Sequence, residues 1–221
     1  MSKIWKATKG VEIGFLMCWG GITNTLNYIK FNKKRAFDVV VSVLLLPTLI
    51  STIIIVWVLN FKLNPGPMFY VQKRMGKDIK PIYVFKLRSM SPTTQTTRSS
   101  TDPLELDRIT PLGAILRKTR LDELPQILNV LRGDMSLIGP RPDAWEHALY
   151  FCEALDDYKK RHAVTPGISG LAQVRVGYAE DMDAVKEKVK ADLEYIEHAS
   201  FTLDLRLVWE TIRTVILCRG T

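Results

Sequence analysis

The sequence predicts a mainly α-helical protein of the α+β class, with one small β-hairpin and a membrane segment. Three observations lead to this fold class: an uncharged apolar run at 39–61, apolar residues at helical spacing through much of the remainder, and two strand-like stretches around Gly76. The chain has 221 residues and a formal net charge of +8. This length fits one globular domain with appendages. The charge indicates an anionic partner, such as nucleic acid, an acidic phospholipid surface or a phosphate-bearing substrate.

The apolar run, VVVSVLLLPTLISTIIIVWVLNF, is long enough to cross a membrane as a helix, because about 34 Å of helix exceeds a hydrocarbon core of about 30 Å. Basic residues flank both ends, and such charge marks the cytoplasmic side of a membrane segment. Pro47 stands near the middle, where a proline removes a backbone hydrogen bond and bends the helix. Two interpretations fit these residues: a re-entrant hairpin that dips into one leaflet and returns, and an ordinary spanning helix with a tolerated proline.

The remainder of the chain is predicted to form helices and one hairpin. PMFYVQKRM and KPIYVFKLRSM predict the hairpin, and Thr110-Pro111 marks a helix start, because a capping hydroxyl precedes a proline. Two longer helices are predicted from apolar residues at helical spacing: Met182, Val185, Val189, Leu193 and Ile196 in the first, and Leu205, Val208, Trp209, Ile212 and Ile216 in the second. The second helix is amphipathic, and it either lies at a membrane interface or packs into the core. Residues 91–102 are predicted to form a flexible polar loop.

These patterns divide the chain into three segments. Residues 1–32 form an N-terminal extension with an interfacial helix, residues 33–62 form the membrane segment with its break at Pro47, and residues 63–221 form the cytoplasmic domain. The cysteines lie far apart and lack CxxC spacing, so we expect neither a disulfide framework nor a zinc site. We expect the protein to work in a reducing compartment. These cysteines are Cys18, Cys152 and Cys218.

The stretch RKTRLDELPQILNVLRGDMSLIGPRPD contains an adjacent acid pair, Asp122 and Glu123, directly after several basic residues. Apolar residues at helical spacing after the pair predict a short helix from about 123 to 131. Pro125 would lie in its first turn and Asp122 at or beside its N-cap. Capping is one explanation of the aspartate, because aspartate is a favoured N-cap residue. The other explanation is chemical.

A helix N-terminus with nearby cations keeps a carboxylate ionised and attracts anions. A carboxylate held beside a bound phosphate can act as a nucleophile and form an acyl phosphate. Because the two anions repel each other, such chemistry uses a divalent metal, and Mg²⁺ binds one or two carboxylates together with phosphate oxygens of the substrate. An attacking acid and a neighbour that helps to hold the metal would explain why the acids come as a pair.

The turn Gly139-Pro140-Arg141-Pro142 follows the acid pair along the chain. Its two prolines fix the backbone on either side of the arginine. A guanidinium presented in this way is suited to forked contacts with phosphate. A plain loop arginine is the alternative interpretation.

The order of several sequence blocks resembles the bacterial sugar transferases, the small monotopic phosphoglycosyl transferases that start exopolysaccharide and glycoconjugate synthesis. The blocks extend from about Lys33 to near the C-terminus, and the long central block is the most specific. They are KKRAFDVVVSVLLLP, NPGPMFYVQKRMGK, YVFKLRSM, RITPLGAILRKTRLDELPQILNVLRGDMSLIGPRPD, VTPGISGLAQVRVG and DLEYIEHASFTLDLRLVWETI. Two places depart from the family pattern: Leu46-Pro47 replaces a frequent Ser-Pro, and Gly170-Leu171-Ala172-Gln173 replaces a frequent Gly-Trp-Ala-Gln.

The resemblance implies a re-entrant membrane helix broken at Pro47, with the catalytic domain on the cytoplasmic face of the inner membrane. It also implies transfer of a sugar 1-phosphate from a UDP-sugar to a polyprenyl phosphate such as undecaprenyl phosphate, with release of UMP. In this family the aspartate of the acid pair attacks the diphosphate and forms a covalent phosphosugar intermediate. That role falls to Asp122, with Glu123 beside it and Mg²⁺ held by these two residues. Further motif positions imply substrate contacts from Lys86, Arg88, Arg117, Arg141 and Asp192.

Two alternatives to this function are a transferase that forms no covalent intermediate and a basic membrane-anchored protein that binds without catalysis. The second accounts for the charge but gives no reason for an acid pair near a Pro-Arg-Pro turn. We expect a UDP-sugar, a polyprenyl phosphate and the bilayer as partners, and no nucleic acid. A homodimer formed through the membrane helices is compatible with the sequence, which does not specify the transferred sugar.

Overall fold

The computed structural model describes residues 4–92, 106–177 and 181–217, and the statements below concern these residues. The chain divides into two compact units, Met1–Phe37 and Asp38–Thr221. The described residues are mostly helical with one small antiparallel hairpin, which confirms the predicted secondary-structure class. Most of the predicted polar loop at 91–102 lies outside the described residues. The predicted division into three segments stays a prediction.

Seven helices and four strands are described, with 3₁₀ turns between some of them. The helices are α1 (Ile4–Leu63), α2 (Pro111–Lys118), α3 (Gln126–Arg132), α4 (Trp145–Ala154), α5 (Leu171–Arg175), α6 (Met182–Glu197) and α7 (Phe201–Ile216). The strands are β1 (Phe69–Met75), β2 (Pro81–Leu87), β3 (Ser136–Ile138) and β4 (Gly167–Ser169). The 3₁₀ turns are Lys77–Ile79, Leu106–Arg108, Leu121–Glu123 and Tyr158–Ala163.

Helix α1 contains the predicted membrane segment. Its part Lys33–Leu63 is long and apolar enough to cross a membrane, by length and composition alone. The helix continues through Pro47 without an interruption. Hydroxyls after the proline bond carbonyls one turn back: Ser51 donates to Pro47 O at 3.0 Å and Thr52 donates to Thr48 O at 2.8 Å. The re-entrant path and the membrane association stay predictions.

Strands β1 and β2 form the predicted hairpin, and they place two cations on one face. The register pairs Tyr70 with Lys86 and Arg74 with Ile82. Because alternate residues of a strand share a face, Arg74 and Lys86 project from the same side of the hairpin. Asn129 on α3 bonds the backbone of β2, accepting from Phe85 N at 3.1 Å and donating to Tyr83 O at 2.7 Å. This contact fixes the hairpin against the segment that follows the acid pair.

Strand β3 leads directly into the Pro-Arg-Pro turn and pairs in parallel with β4, which follows the turn later in the chain. Glycines allow the chains to approach closely here: a Cβ on Gly167 would lie 2.1 Å from Gly139 N, and one on Gly170 would lie 2.2 Å from Gly139 O. Strand β3 is also bound to α1, because buried Asp38 accepts hydrogen bonds from Ser136 Oγ at 2.7 Å and from Leu137 N at 3.1 Å. The middle of α1 and the strand that leads into the turn are therefore joined.

The two predicted long helices differ in what they bury. In α6 the predicted apolar stripe faces inward, and Val185 and Val189 belong to the core. In α7 the predicted stripe is exposed at Leu205, Trp209 and Ile212, so core packing is the wrong interpretation for these residues. The interfacial placement of α7 stays a prediction.

Candidate active site

The acid pair lies in the 3₁₀ turn Leu121–Glu123 and not at the start of a regular helix. Helix α3 begins only at Gln126, with Pro125 as its N-cap residue, so the predicted start at about 123 is wrong. Pro125 has no backbone N–H to offer, and the residues before it form only short 3₁₀ bonds, from Glu123 N to Arg120 O and from Leu124 N to Leu121 O. Neither the 3₁₀ turn nor α3 has a side-chain cap. The capping explanation of Asp122 is therefore wrong.

Arg120 reverses the chain between α2 and the acid pair. Its backbone is left-handed, with φ of 55°. This conformation costs a residue with a side chain about 1–2 kcal/mol. The surrounding contacts must therefore hold the bend that turns both acids inward.

Glu123 is a buried carboxylate bound by two cations. Its Oε1 accepts from Lys86 Nζ at 2.7 Å and from the Arg141 guanidinium. Its Oε2 has a longer contact with the Arg120 guanidinium, at 3.9 Å. Burial alone would raise the pKa of Glu123, but Arg141 and Lys86 outweigh it and hold that pKa well below the ordinary value. Glu123 is thus ionised, and the positive charges of Lys86 and Arg141 largely balance its negative charge.

Asp122 has the opposite environment, although it is the adjacent residue. Its side chain is buried with 8% exposure, and in the described part of the chain it makes no hydrogen bond or ion pair. Burial raises the pKa of Asp122 to about 6, and the charge of Glu123 adds to this effect. Lys86, Arg117 and Arg141 act in the other direction without cancelling it. Among the described residues, Asp122 is therefore a carboxylate whose oxygens have no hydrogen-bonding or ion-pair partner.

The Pro-Arg-Pro turn is held at three consecutive carbonyls. Pro140 O accepts from Gly167 N at 3.0 Å. Arg141 O accepts from Arg161 at 2.7 Å, and Pro142 O accepts from Arg74 at 2.6 Å. The Arg141 side chain bridges Glu123 and Ile168 O, the latter at 2.9 Å. The turn therefore presents its arginine at a fixed place beside the acid pair.

The other predicted substrate-binding residues have different surroundings. Arg117 lies near enough to Asp122 for its charge to lower the pKa of that carboxyl. Arg88 is buried and donates to the carbonyls of Asn64, Pro67 and Met90, so its donors hold the loop after α1. No described contact joins Arg88 to the acid pair, and a substrate contact from it stays a prediction.

Asp192 is fully buried and has an internal partner. Its Oδ2 accepts from Arg161 Nε at 2.8 Å and forms an ion pair with Arg161 Nη2 at 2.6 Å. Asp192 therefore anchors Arg161, which in turn bonds the backbone of Arg141. The Asp192 side chain is buried and faces this internal partner. The predicted substrate contact of Asp192 stays untested.

Sequence reasoning missed two arginines, Arg74 and Arg161. Arg74 had a signal, since the hairpin register that places Lys86 at the site also places Arg74 on that face. Burial and the charge of Arg141 lower the pKa of Arg74 to about 10. Arg161 had no local signal, because its partners Arg141 and Asp192 are distant in the sequence.

The acid pair fits a metal ion that is shared with a substrate and not one enclosed by protein. Among the residues that the structure describes, no three His, Cys, Asp or Glu side chains surround a common point. Mg²⁺ is commonly held by one or two carboxylates together with substrate phosphates. Glu123 Oε2, with its single long contact, and the unengaged Asp122 offer the oxygens that such an ion needs.

The fold and site define a class of protein: a helical domain on an apolar helix, with a buried acid pair set among arginines and a lysine. Residues 29–218 match the family model of the bacterial sugar transferases, and the chain belongs to this family.

Three related proteins are similar over most of this chain. A UDP-N-acetylgalactosamine-undecaprenyl-phosphate N-acetylgalactosaminephosphotransferase of Aeromonas hydrophila is 40% identical over 184 residues, which cover 83% of this chain and 43% of that protein. A UDP-glucose:undecaprenyl-phosphate glucose-1-phosphate transferase of Caulobacter vibrioides is 38% identical, with 83% of this chain and 70% of the relative covered. The exopolysaccharide production protein PSS of Rhizobium leguminosarum bv. phaseoli is 39% identical, with 81% and 92% covered. The chain thus spans less than half of the first relative and most of the other two.

Proposed function

We propose that this protein transfers a sugar 1-phosphate from a UDP-sugar to a polyprenyl phosphate such as undecaprenyl phosphate, releasing UMP. The family membership and the printed names of the relatives support this donor and acceptor. The reaction would be the first membrane step of exopolysaccharide or glycoconjugate synthesis, at the cytoplasmic face of the inner membrane. The observation that carries the chemistry is Asp122, a buried and unengaged carboxylate beside the neutralised Glu123.

The proposed reaction has two displacements at one phosphorus. An Asp122 oxygen attacks the phosphorus that carries the sugar, the bond from that phosphorus to the bridging oxygen breaks, and UMP leaves with the electron pair. An oxygen of polyprenyl phosphate then attacks the same phosphorus, forming the polyprenyl diphosphate sugar and releasing the Asp122 carboxylate. Neither step requires a proton to move, so the nucleophile needs no general base. The lack of a described hydrogen-bonding partner for Asp122 is consistent with this mechanism.

Glu123 is less suited to attack than Asp122. Its Oε1 accepts from both Lys86 and Arg141, and these two cations lower the pKa of Glu123, so the carboxylate is a weaker nucleophile than that of Asp122. We assign it the task of holding Lys86 and Arg141 next to the diphosphate. Because Arg74, Lys86 and Arg141 carry three positive charges near the two acids, the site attracts a polyanionic substrate even when both acids are ionised.

We propose Mg²⁺ as the cofactor, with Glu123 Oε2 and substrate phosphate oxygens as its ligands. When bound, the ion would neutralise the diphosphate and lower the repulsion between substrate and carboxylate. The basic side chains of the site would orient the diphosphate for attack.

A screen for UMP release tests the proposed function. The purified protein in native lipid is supplied with undecaprenyl phosphate, Mg²⁺ and, in turn, UDP-glucose, UDP-galactose and UDP-N-acetylgalactosamine. We expect UMP from at least one donor, and radiolabelled sugar phosphate bound to the protein when the acceptor is omitted. UMP release without trapped label would favour a transferase with no covalent intermediate. No UMP from any donor, together with salt-sensitive binding to nucleic acid, would support the non-catalytic alternative.

The pH dependence of kcat/KM should be bell-shaped, with an acid limb near pH 6 and an alkaline limb near pH 8. Asp122 attacks only when ionised, and burial with the neighbouring charge of Glu123 raises its pKa to about 6. A raised pKa keeps the inactive protonated form up to a higher pH than usual, so activity increases as the pH rises through 6. Burial lowers the pKa of Lys86 to about 8, so activity falls as Lys86 loses its charge above that pH.

The variant Lys86→Arg tests whether Lys86 causes the alkaline limb of the pH profile and Asp122 the acid limb. Arginine keeps its charge at every working pH. It should therefore displace the alkaline limb upward and leave the acid limb in place. An acid limb near pH 4 in the wild type would contradict the assignment of the raised pKa to the nucleophile.

A further inference from the structure

We infer that Arg161 is a positioning residue that holds Arg141 in its catalytic place from inside the domain. The inference rests on the proposed function, since it concerns how that site is held. Nothing in the sequence marks Arg161, and its guanidinium contacts neither Asp122 nor Glu123 in the described contacts.

Four hydrogen bonds and an ion pair hold the guanidinium of Arg161, whose side chain is only 1% exposed. Nε donates to Asp192 Oδ2 at 2.8 Å, and Nη2 forms an ion pair with the same oxygen at 2.6 Å. Nη2 also donates to Arg141 O at 2.7 Å. Nη1 donates to Asp143 and to the Tyr158 hydroxyl, the latter at 3.2 Å. Because each of its three nitrogens has a partner, the guanidinium is held in one orientation, and the carbonyl that it binds is fixed as well.

The turn needs support of this kind because of its own sequence. Pro140 and Pro142 have no backbone N–H, so the turn has few donors with which to hold itself. Its three carbonyls are instead bound from outside, and Arg161 takes the central one, on Arg141 itself. The position of the Arg141 guanidinium therefore depends on a bond made at its own backbone.

The charges around Arg161 make it a fixed support. Asp143 and Asp192 face Arg161 and Lys188, so two anions balance two cations; Arg161 and Asp192 are buried, and Asp143 and Lys188 are partly buried. Burial alone would raise the pKa of Asp143, but Lys188 and Arg161 hold it well below its ordinary value. Lysine at position 161 would keep the charge but has only three donors on a flexible stem, so it could not bind all of these partners.

A buried ion network can also serve stability alone, and a double-mutant comparison with Arg141→Lys distinguishes the two roles. If Arg161 acts through Arg141, its loss removes only what Arg141 contributes, so the effects of the two substitutions on kcat/KM are not additive. If Arg161 only stabilises the fold, a variant yields less folded enzyme with an unchanged kcat/KM per folded molecule.

The test compares Arg161→Lys with Tyr195→Phe at equal concentrations of folded enzyme, each in the wild-type and Arg141→Lys backgrounds. We expect Arg161→Lys to lower kcat/KM by about 10- to 100-fold in the wild-type background, the usual cost of losing a residue that orients another. In the Arg141→Lys background the same substitution should lower kcat/KM by less than about threefold. Tyr195→Phe removes buried hydroxyl bonds of 2.6 Å to Asp204 and 3.4 Å to Ile138 O, and neither involves Arg161 or Arg141. This control should lower the melting temperature and leave kcat/KM of the folded enzyme unchanged.

A folded Arg161→Lys enzyme whose kcat/KM is unchanged, or falls by the same factor in both backgrounds, would overturn the inference. If Arg161→Lys does not fold, the isosteric Asp192→Asn takes its place, because it weakens the anchor of Arg161 and should show the same dependence on Arg141. Equal factors in both backgrounds for folded Asp192→Asn would equally overturn the positioning role. Failure of the proposed function is distinguishable, since the wild type itself would then release no UMP.

Discussion

Asp122→Asn is expected to abolish turnover and to preserve or raise stability. Asparagine has nearly the same shape but cannot attack phosphorus, so no acyl phosphate can form. Loss of the nucleophile costs on the order of a millionfold in a serine protease, and we expect at least about a thousandfold here. UMP release in a single turnover and the trapping of labelled sugar phosphate on the protein measure this effect.

The stability of the same variant has a definite sign. The pKa of Asp122 is raised to about 6 in the folded protein, above the unfolded value of about 3.9. Its ionised form therefore opposes folding, and this cost is fully present above pH 6, decreases between pH 6 and about 3.9, and is absent below that range. We expect the melting temperature of Asp122→Asn at pH 7.5 to equal or exceed that of the wild type. Near-normal turnover in a homogeneous preparation of this variant would remove Asp122 as the nucleophile.

Glu123→Gln is expected to act in the opposite direction on stability. The pKa of Glu123 is held well below its ordinary value, so its ionised form stabilises the fold at neutral pH, and this contribution is lost as the pH falls through the folded pKa. Removing the charge leaves Lys86 and Arg141 without their shared anion, a loss of about 3–5 kcal/mol for buried pairs of this kind. Thermal unfolding at pH 7.5 measures it.

The catalytic effect of Glu123→Gln should be smaller than that of Asp122→Asn, but it should also shift the pH dependence of kcat/KM. We expect kcat/KM to fall by about 10²- to 10³-fold, because the cations that face the diphosphate lose their fixed places. Both limbs should move to lower pH: the charge of Glu123 raises the pKa of Asp122 and also raises that of Lys86. A stable Glu123→Gln enzyme with both limbs unmoved would be incompatible with the described cluster.

The sequence was sufficient to predict the elements of this protein that depend on local pattern. The hairpin, the apolar helix, the capped start of α2 at Thr110 and the inward stripe of α6 follow from periodicity and from local residue types. Asp122 and Arg141 were found because their neighbours in the chain are unusual. The 3₁₀ turn was missed because the apolar spacing after Glu123 continues across the point where Pro125 delays the helix.

The division of roles within the acid pair could not be predicted from the sequence. Asp122 and Glu123 share the same local chain, yet one is unengaged and the other binds two cations. The difference comes from the hairpin and from the Pro-Arg-Pro turn, which reach Glu123 from distant parts of the chain. Arg161 was missed for the same reason, since its partners are brought together only by the tertiary fold.

The bond between Arg161 and Asp192 sets the order in which a nascent chain can complete this site. The acid pair, the turn and Arg161 leave the ribosome before α6, but the partner of Arg161 lies within that helix. Assembly must therefore wait for a contact of long sequence separation, and such contacts form slowly. A fragment that stops short of α6 would contain every motif residue around the acids and still lack the anchor that fixes the arginine beside them.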